Sequence, residues 1–143
     1  MKKTVIFLLS VLITITVIAY LYINNLKNLE SIADKSNSEY EKYYEQEIPG
    51  TTLISIINKA MDNNEKNEVE KQEDGTYKDN EKNSIHITIK FLESEKIINM
   101  ESIAEKQTEN FVKYFSTSNF KCTKIEYHNK TKYIKAMYFE QIN

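Results

Sequence analysis

Twenty consecutive residues, Thr4 to Ile23 (TVIFLLSVLITITVIAYLYI), carry no charge. As a helix this stretch is roughly 30 Å long, the thickness of a bilayer's hydrocarbon core. It is apolar all round, and a chain of 143 residues has nothing else with which to cover such a cylinder. The expectation is a transmembrane helix. The hydroxyls of Ser10, Thr14 and Thr16 can bond back to helix carbonyls, and Tyr20 and Tyr22 stand where aromatic rings favour the headgroup level. A cleaved signal peptide is the alternative. The stretch exceeds the usual apolar region of such a peptide, and no A-x-A site follows, since Ala19 and Ala33 stand alone. No Cys follows closely, which excludes a lipoprotein anchor. The lipid bilayer is therefore the first expected partner, through Thr4 to Ile23, as an uncleaved signal-anchor. Lys2 and Lys3 precede it and Lys27 and Lys35 follow. A three-residue head is normally retained inside, so the N-terminus is expected to be cytoplasmic and the C-terminal head extracytoplasmic.

The rest of the chain is polar. There are 19 Lys and no Arg against 21 acids, for a formal charge of −2. A nucleic-acid partner is not expected, because phosphate binding usually draws on net positive charge and Arg forks. Two Gly, one Pro and one Cys exclude collagen-like, linker-like and disulfide-framework classes.

Asn24 to Glu47 lacks Gly and Pro, and Leu26, Leu29, Ile32, Ala33, Ser36, Tyr40 and Tyr43 recur at helical spacing. This predicts a helical stalk, continuous with the span and leaning on a globular head. Coiled-coil pairing is the alternative. Pro49-Gly50 ends it, and Thr51 or Thr52 can cap a second helix with Leu53, Ile56, Ile57, Ala60 and Met61 on its apolar face, closed by Asn63-Asn64. Residues 62–84 are a polar middle. Asp74-Gly75 signals a turn there, with Val69 and Tyr77 marking two short strands, unless the segment is a disordered insertion. Ile85, Ile87, Ile89 and Phe91 alternate with His86, Thr88, Lys90 and Leu92 as a strand. A helix capped by Asn99 follows, with Met100, Ile103, Ala104, Phe111, Val112 and Phe115 apolar. Phe120–His128 and Lys132–Ile142 form a closing hairpin. The expectation is an α+β protein: a membrane helix (1–23), a helical stalk (24–47) and a head (48–143) with two helices on an antiparallel sheet of about four strands.

The residues that could carry chemistry do not assemble into a motif. Cys122 and His128 suggest a thiol and its base, but six residues along one strand is roughly 20 Å. A dyad would need His86 from another strand. Cys122, between Phe120 and Ile125, reads as a small core residue. Two His without clustered spacing make no zinc site, and Asp62-Asn63-Asn64-Glu65 fails as a calcium loop at Lys66 and Asn67. With glycines only at 50 and 75 there is no phosphate loop. No catalytic, cofactor-binding or metal-binding residue is expected. Lys121, Lys124, Lys130, Lys132 and Lys135, with Tyr127 and Tyr133, could make a basic face for anionic lipid or wall polymer, or protect a sheet edge.

The order of apolar helix, amphipathic extension and small α+β head resembles the layout of pilin-like and pseudopilin proteins. The resemblance is one of layout: Met1-Lys2-Lys3-Thr4 holds no processing Gly, and Val5 to Ser10 holds no Glu. With Pro49-Gly50-Thr51 and Tyr138-Phe139-Glu140, the Lys/Ile/Asn-rich chain is also similar in style to small single-pass membrane-anchored proteins of low-GC Gram-positive bacteria. The expected function is a non-enzymatic structural or interaction protein of the cell envelope with a protein partner there. The alternative is a tethered ligand-binding or sensory module. An envelope hydrolase is the third reading.

Overall fold

The structure is a computed structural model that describes residues 2–92, 96–106 and 108–143. Helix α1 runs unbroken from Lys2 to Glu41, 40 residues. It is the one described helix long and apolar enough to cross a membrane, judged by length and composition, and its apolar window is wholly bare of protein contacts. Within it Ser10 donates to Phe7 O at 2.7 Å, Thr14 to Ser10 O at 2.9 Å and Thr16 to Ile13 O at 2.8 Å. These three hydroxyls are thus satisfied within the helix's own backbone.

The helix stops earlier than Glu47. Tyr43 and Tyr44 turn back onto the carbonyls of Tyr40 and Glu41, and Glu45 adopts φ 57. Glu47–Pro49 then forms strand β1, with Ile48 buried opposite Phe120. Long-range pairing has overridden helix propensity here, helped by Pro49, which disfavours helix at Ile48. Helix α2 spans Gly50–Lys66. Pro49 occupies the N-cap position without a side-chain cap, so neither Thr51 nor Thr52 plays that part. Instead the Gly50 N–H donates to Ser118 O at 2.9 Å. A Cβ on Gly50 would stand 2.0 Å from the Phe115 carbonyl oxygen, so only glycine permits this approach. The helix also runs past Asn63-Asn64, because Asn64 turns inward instead of ending it.

The polar middle is ordered. Gly75, at φ 84, makes the turn that brings Lys71 opposite Tyr77, with Gln72 N to Thr76 O at 2.7 Å and Lys78 N to Glu70 O at 2.8 Å. Strand β2 is His86–Lys90. An unforeseen strand β3, Ile97–Asn99, precedes helix α3, Met100–Lys106, and helix α4, Thr108–Phe115. Strands β4, Asn119–Tyr127, and β5, Ile134–Gln141, form the closing hairpin.

The fold is α+β, but its sheet is mixed and has five strands in the order β1-β4-β5-β2-β3. β5 lies parallel to β2, with His86 beside Ala136, where a wholly antiparallel sheet of about four strands was expected. The chain leaves β2 through β3 at one edge, and the helices carry it to β4 on the far side. The β4–β5 hairpin then returns alongside β2 in the same direction. Such a parallel neighbour requires a long crossover, here supplied by α3 and α4.

One sheet face carries Phe120, Cys122, Ile87, Ile89, Met137 and Phe139, all buried beneath the helices. Leu53, Ile56, Ile57 and Ala60 of α2 and Met100 and Ile103 of α3 complete the core. Phe91, Phe111, Phe115 and Phe120 cluster at one end, with ring centroids 4.8 to 6.1 Å apart. The opposite face is polar.

Candidate functional site

Three places in the head gather polar side chains against low-dielectric surroundings. The first joins α1 to the head. Ala33, Asn37 and Tyr40, one helical face, are buried while Leu26, Leu29 and Ile32 just before them are about half exposed. Asn37 Nδ2 donates to Lys132 O at 2.8 Å, and its Oδ1 accepts the Ile134 N–H at 2.9 Å. One amide side chain thus saturates the backbone where β5 begins. Burial and Asp62 push the Tyr40 phenol up to about 12. Tyr127 donates to Glu41 at 2.8 Å, and Lys59 of α2 pairs with Glu39. Within the head Asn64 repeats the device: its Nδ2 donates to Ile85 O at 2.7 Å and its Oδ1 accepts the Ile85 N–H at 2.8 Å. The two asparagines clasp the entrances of two neighbouring strands, Ile134 at the start of β5 and Ile85 just before β2, to two different helices.

The second place is a closed lock around Asp79, Ser84 and His128. His128 is 2% exposed, and its Nε2–H donates to the Ser84 carbonyl oxygen at 2.8 Å. Its Nδ1 lies 3.9 Å from Asp79, which also holds Lys135 and accepts the Glu81 N–H at 2.8 Å. Burial pushes the Asp79 carboxyl up, but the hydrogen bonds from Lys135 and Glu81 outweigh it and hold it below the usual carboxylate range. Ser, His and Asp are all here, yet the histidine meets the serine's carbonyl and not its hydroxyl. The Ser84 hydroxyl instead accepts the Asn80 N–H at 3.1 Å. No activated nucleophile results.

The third place is a cavity of about 310 Å³ on the polar side, lined by residues of the 72–79 hairpin, β2, Asn99 and Glu101. Glu101, only 4% exposed, accepts the Tyr77 N–H at 3.0 Å. His86 Nε2 is buried and has no hydrogen-bond partner. Burial holds the His86 imidazole below its ordinary 6.5, against the opposing pull of Glu101 and Asp79. None of these features was signalled by the sequence beyond the alternation that turned His86 away from the core.

The residues that the sequence singled out are scattered. His86 pairs with Ala136 and Cys122 with Phe139, so the two lie on opposite faces of the sheet and form no dyad. Cys122 is fully buried, and burial pushes its thiol up to about 11, which leaves no thiolate at neutral pH. Irregularities at Cys122/Lys124 and Glu126/Tyr127 also break the strand register between Cys122 and His128. Asp62 to Glu65 belong to α2, not to a loop. Among the described residues no group of three or more His, Cys, Asp or Glu could hold a metal ion. In strand order the lysine-rich hairpin lies between β1 and β2, but β1 covers only Asn119 to Lys121 of β4, and past the Tyr44–Cys122 bridge the described residues place no strand outside Lys124. Two of its lysines are neutralised, Lys124 by Glu126 at 2.6 Å and Lys135 by Asp79.

Comparison with family models, with curated protein sequences and with solved structures gave no match.

Proposed function

We propose that this chain is a membrane-anchored, non-enzymatic interaction protein of the cell envelope. Thr4 to Ile23 sit in the bilayer, the N-terminus is cytoplasmic, and the head stands outside, in a pilin-like layout. The observation that carries this reading is the clasp of Asn37 with Ala33 and Tyr40. It makes the anchor helix and the head one piece. Between Ile23 and Ala33 lie nine helical residues, about 13 Å of strut. A catalyst or a scavenger of free ligand works as well on a flexible tether. A fixed height and orientation matter to a head that meets something itself positioned relative to the membrane.

The test combines topology with rigidity. Cys122 is buried, so an Asn129→Cys variant offers one exposed thiol on the β4–β5 turn. In intact cells an impermeant maleimide should label it, and labelling only after lysis would overturn the orientation. Inserting Gly-Ser-Gly after Leu29 should keep the chain in the membrane fraction but abolish chemical crosslinks from the head to other envelope proteins. An unchanged crosslink pattern would contradict the reading.

A further inference from the structure

We propose that the polar cavity between the 72–79 hairpin, β2 and the start of α3 binds a small molecule through a primary ammonium group. Two separate observations meet there. Glu101 is 4% exposed, and among the described residues the one hydrogen-bond donor to its carboxylate is the Tyr77 N–H. A carboxylate has about four acceptor positions, so Glu101 can take further donors from the cavity side. His86 Nε2, in the same cavity, is buried and makes no hydrogen bond. Unpaired buried polar atoms are rare, and this one shares its cavity with a carboxylate that has acceptor positions to spare, which points to a missing donor between them.

The chemistry selects that partner. The remaining polar lining (Gln72, Thr76, Thr88, Asn99 and Asp79) offers oxygen acceptors, and the lining contains no Lys. Two ammonium groups beside it are already engaged: Lys135 on Asp79, and Lys71 over the Tyr77 ring at 4.8 Å. The cavity is therefore an acceptor array around a net negative charge. A primary ammonium brings one positive charge and three N–H donors. One N–H can satisfy Glu101, one the lone pair of His86 Nε2, and the third an amide oxygen of Asn99 or Gln72. An anion would meet Glu101, whose charge no Lys of the lining offsets, and be repelled. At about 310 Å³ the cavity admits a molecule the size of a single sugar ring or a short diamine. The proposal does not depend on the membrane tether or on the interaction role of the head.

Full-length protein in detergent micelles, with its imidazoles followed by NMR, tests this directly. The probes are glucosamine and 1,4-diaminobutane, which separate an amino sugar from a free polyamine, with N-acetylglucosamine as the blocked control. Either amine should move the His86 resonances saturably and leave those of His128 in place. N-acetylglucosamine should do nothing. Glu101→Gln keeps an acceptor for the Tyr77 N–H and should weaken amine binding at least tenfold, with the His128 signals reporting that the fold persists. Asn99→Ala, at an exposed position, should weaken it about threefold without touching the core. Absence of a saturable shift with either amine, equal binding of N-acetylglucosamine, or unchanged affinity in both variants would overturn the proposal.

Discussion

The two ends of α1 are built from the same backbone and differ in what covers them. Before Ala33 the helix leaves nearly every large apolar side chain bare, from Val5 at 62% exposed to Ile32 at 56%. From Ala33 onward it presents a small residue, an amide and a phenol to the head, and all three are buried. Hydrophobicity alone would invert this, placing the leucines against protein and the asparagine in water. The difference teaches that the bare end needs only nonspecific apolar area. The docked end needs a defined partner, and a bidentate amide on two backbone groups specifies orientation as no leucine can.

The sharpest way to break the comparison is a charge in the bare end. Leu12→Lys should cost about 3 to 4 kcal/mol of insertion at the bilayer centre while the melting of the head stays unchanged. Membrane fractionation and near-ultraviolet circular dichroism read the two effects separately, and loss of head structure would show that the ends are not independent. Next in size is Gly50→Ala, whose methyl would collide with the Phe115 carbonyl oxygen. It should destabilise the head by about 3 kcal/mol and leave membrane partition intact, as measured by denaturant unfolding in micelles. Asn37→Ala should cost about 2 kcal/mol, because it strips the Ile134 N–H and the Lys132 carbonyl of their partner. Its distinctive result is a helix that swings free of a folded head.

The smallest effect is set by pH. The His86 imidazole is held below 6.5 by burial, so the unfolded chain takes up its proton first. Head stability should therefore be complete above about pH 6.5 and decline as the pH falls below it. The carboxylates held low, Asp79 and Glu126 among them, add their own loss only in the more acidic range near their ordinary values. His86→Gln should flatten the decline in melting temperature between pH 7.5 and 5.5. An undiminished slope would assign it to another group.

What could be read from the residues followed from periodicity. The α2 stripe at Leu53, Ile56, Ile57 and Ala60 and the β2 alternation at Ile85, Ile87, Ile89 and Phe91 are core positions in the structure. Strands β3 and β1 are three residues long, too short to show a pattern, and β1 begins on Glu47, the last residue of the expected helix. The parallel pairing of β2 and β5 depends on which strand returns where, which local sequence does not encode. The polar sites were hidden for a further reason. Asn37 and Asn64 look like surface residues in an Asn-rich chain, and only long-range folding supplies the backbone groups they saturate. In the stalk the expected stripe includes Ala33 and Tyr40, which do dock, but it omits Asn37 between them, and its Leu26, Leu29 and Ile32 stay about half exposed.

The most direct measurement is a pair of spin labels, one at Lys27→Cys on the bare helix and one at Asn129→Cys on the head, in full-length protein reconstituted in nanodiscs. Cys122, buried in the core, stays unlabelled. A single narrow distance that broadens in Asn37→Ala is the expected result. A broad distribution in the otherwise unaltered chain would contradict the claim that lipid-facing helix and head are one rigid piece.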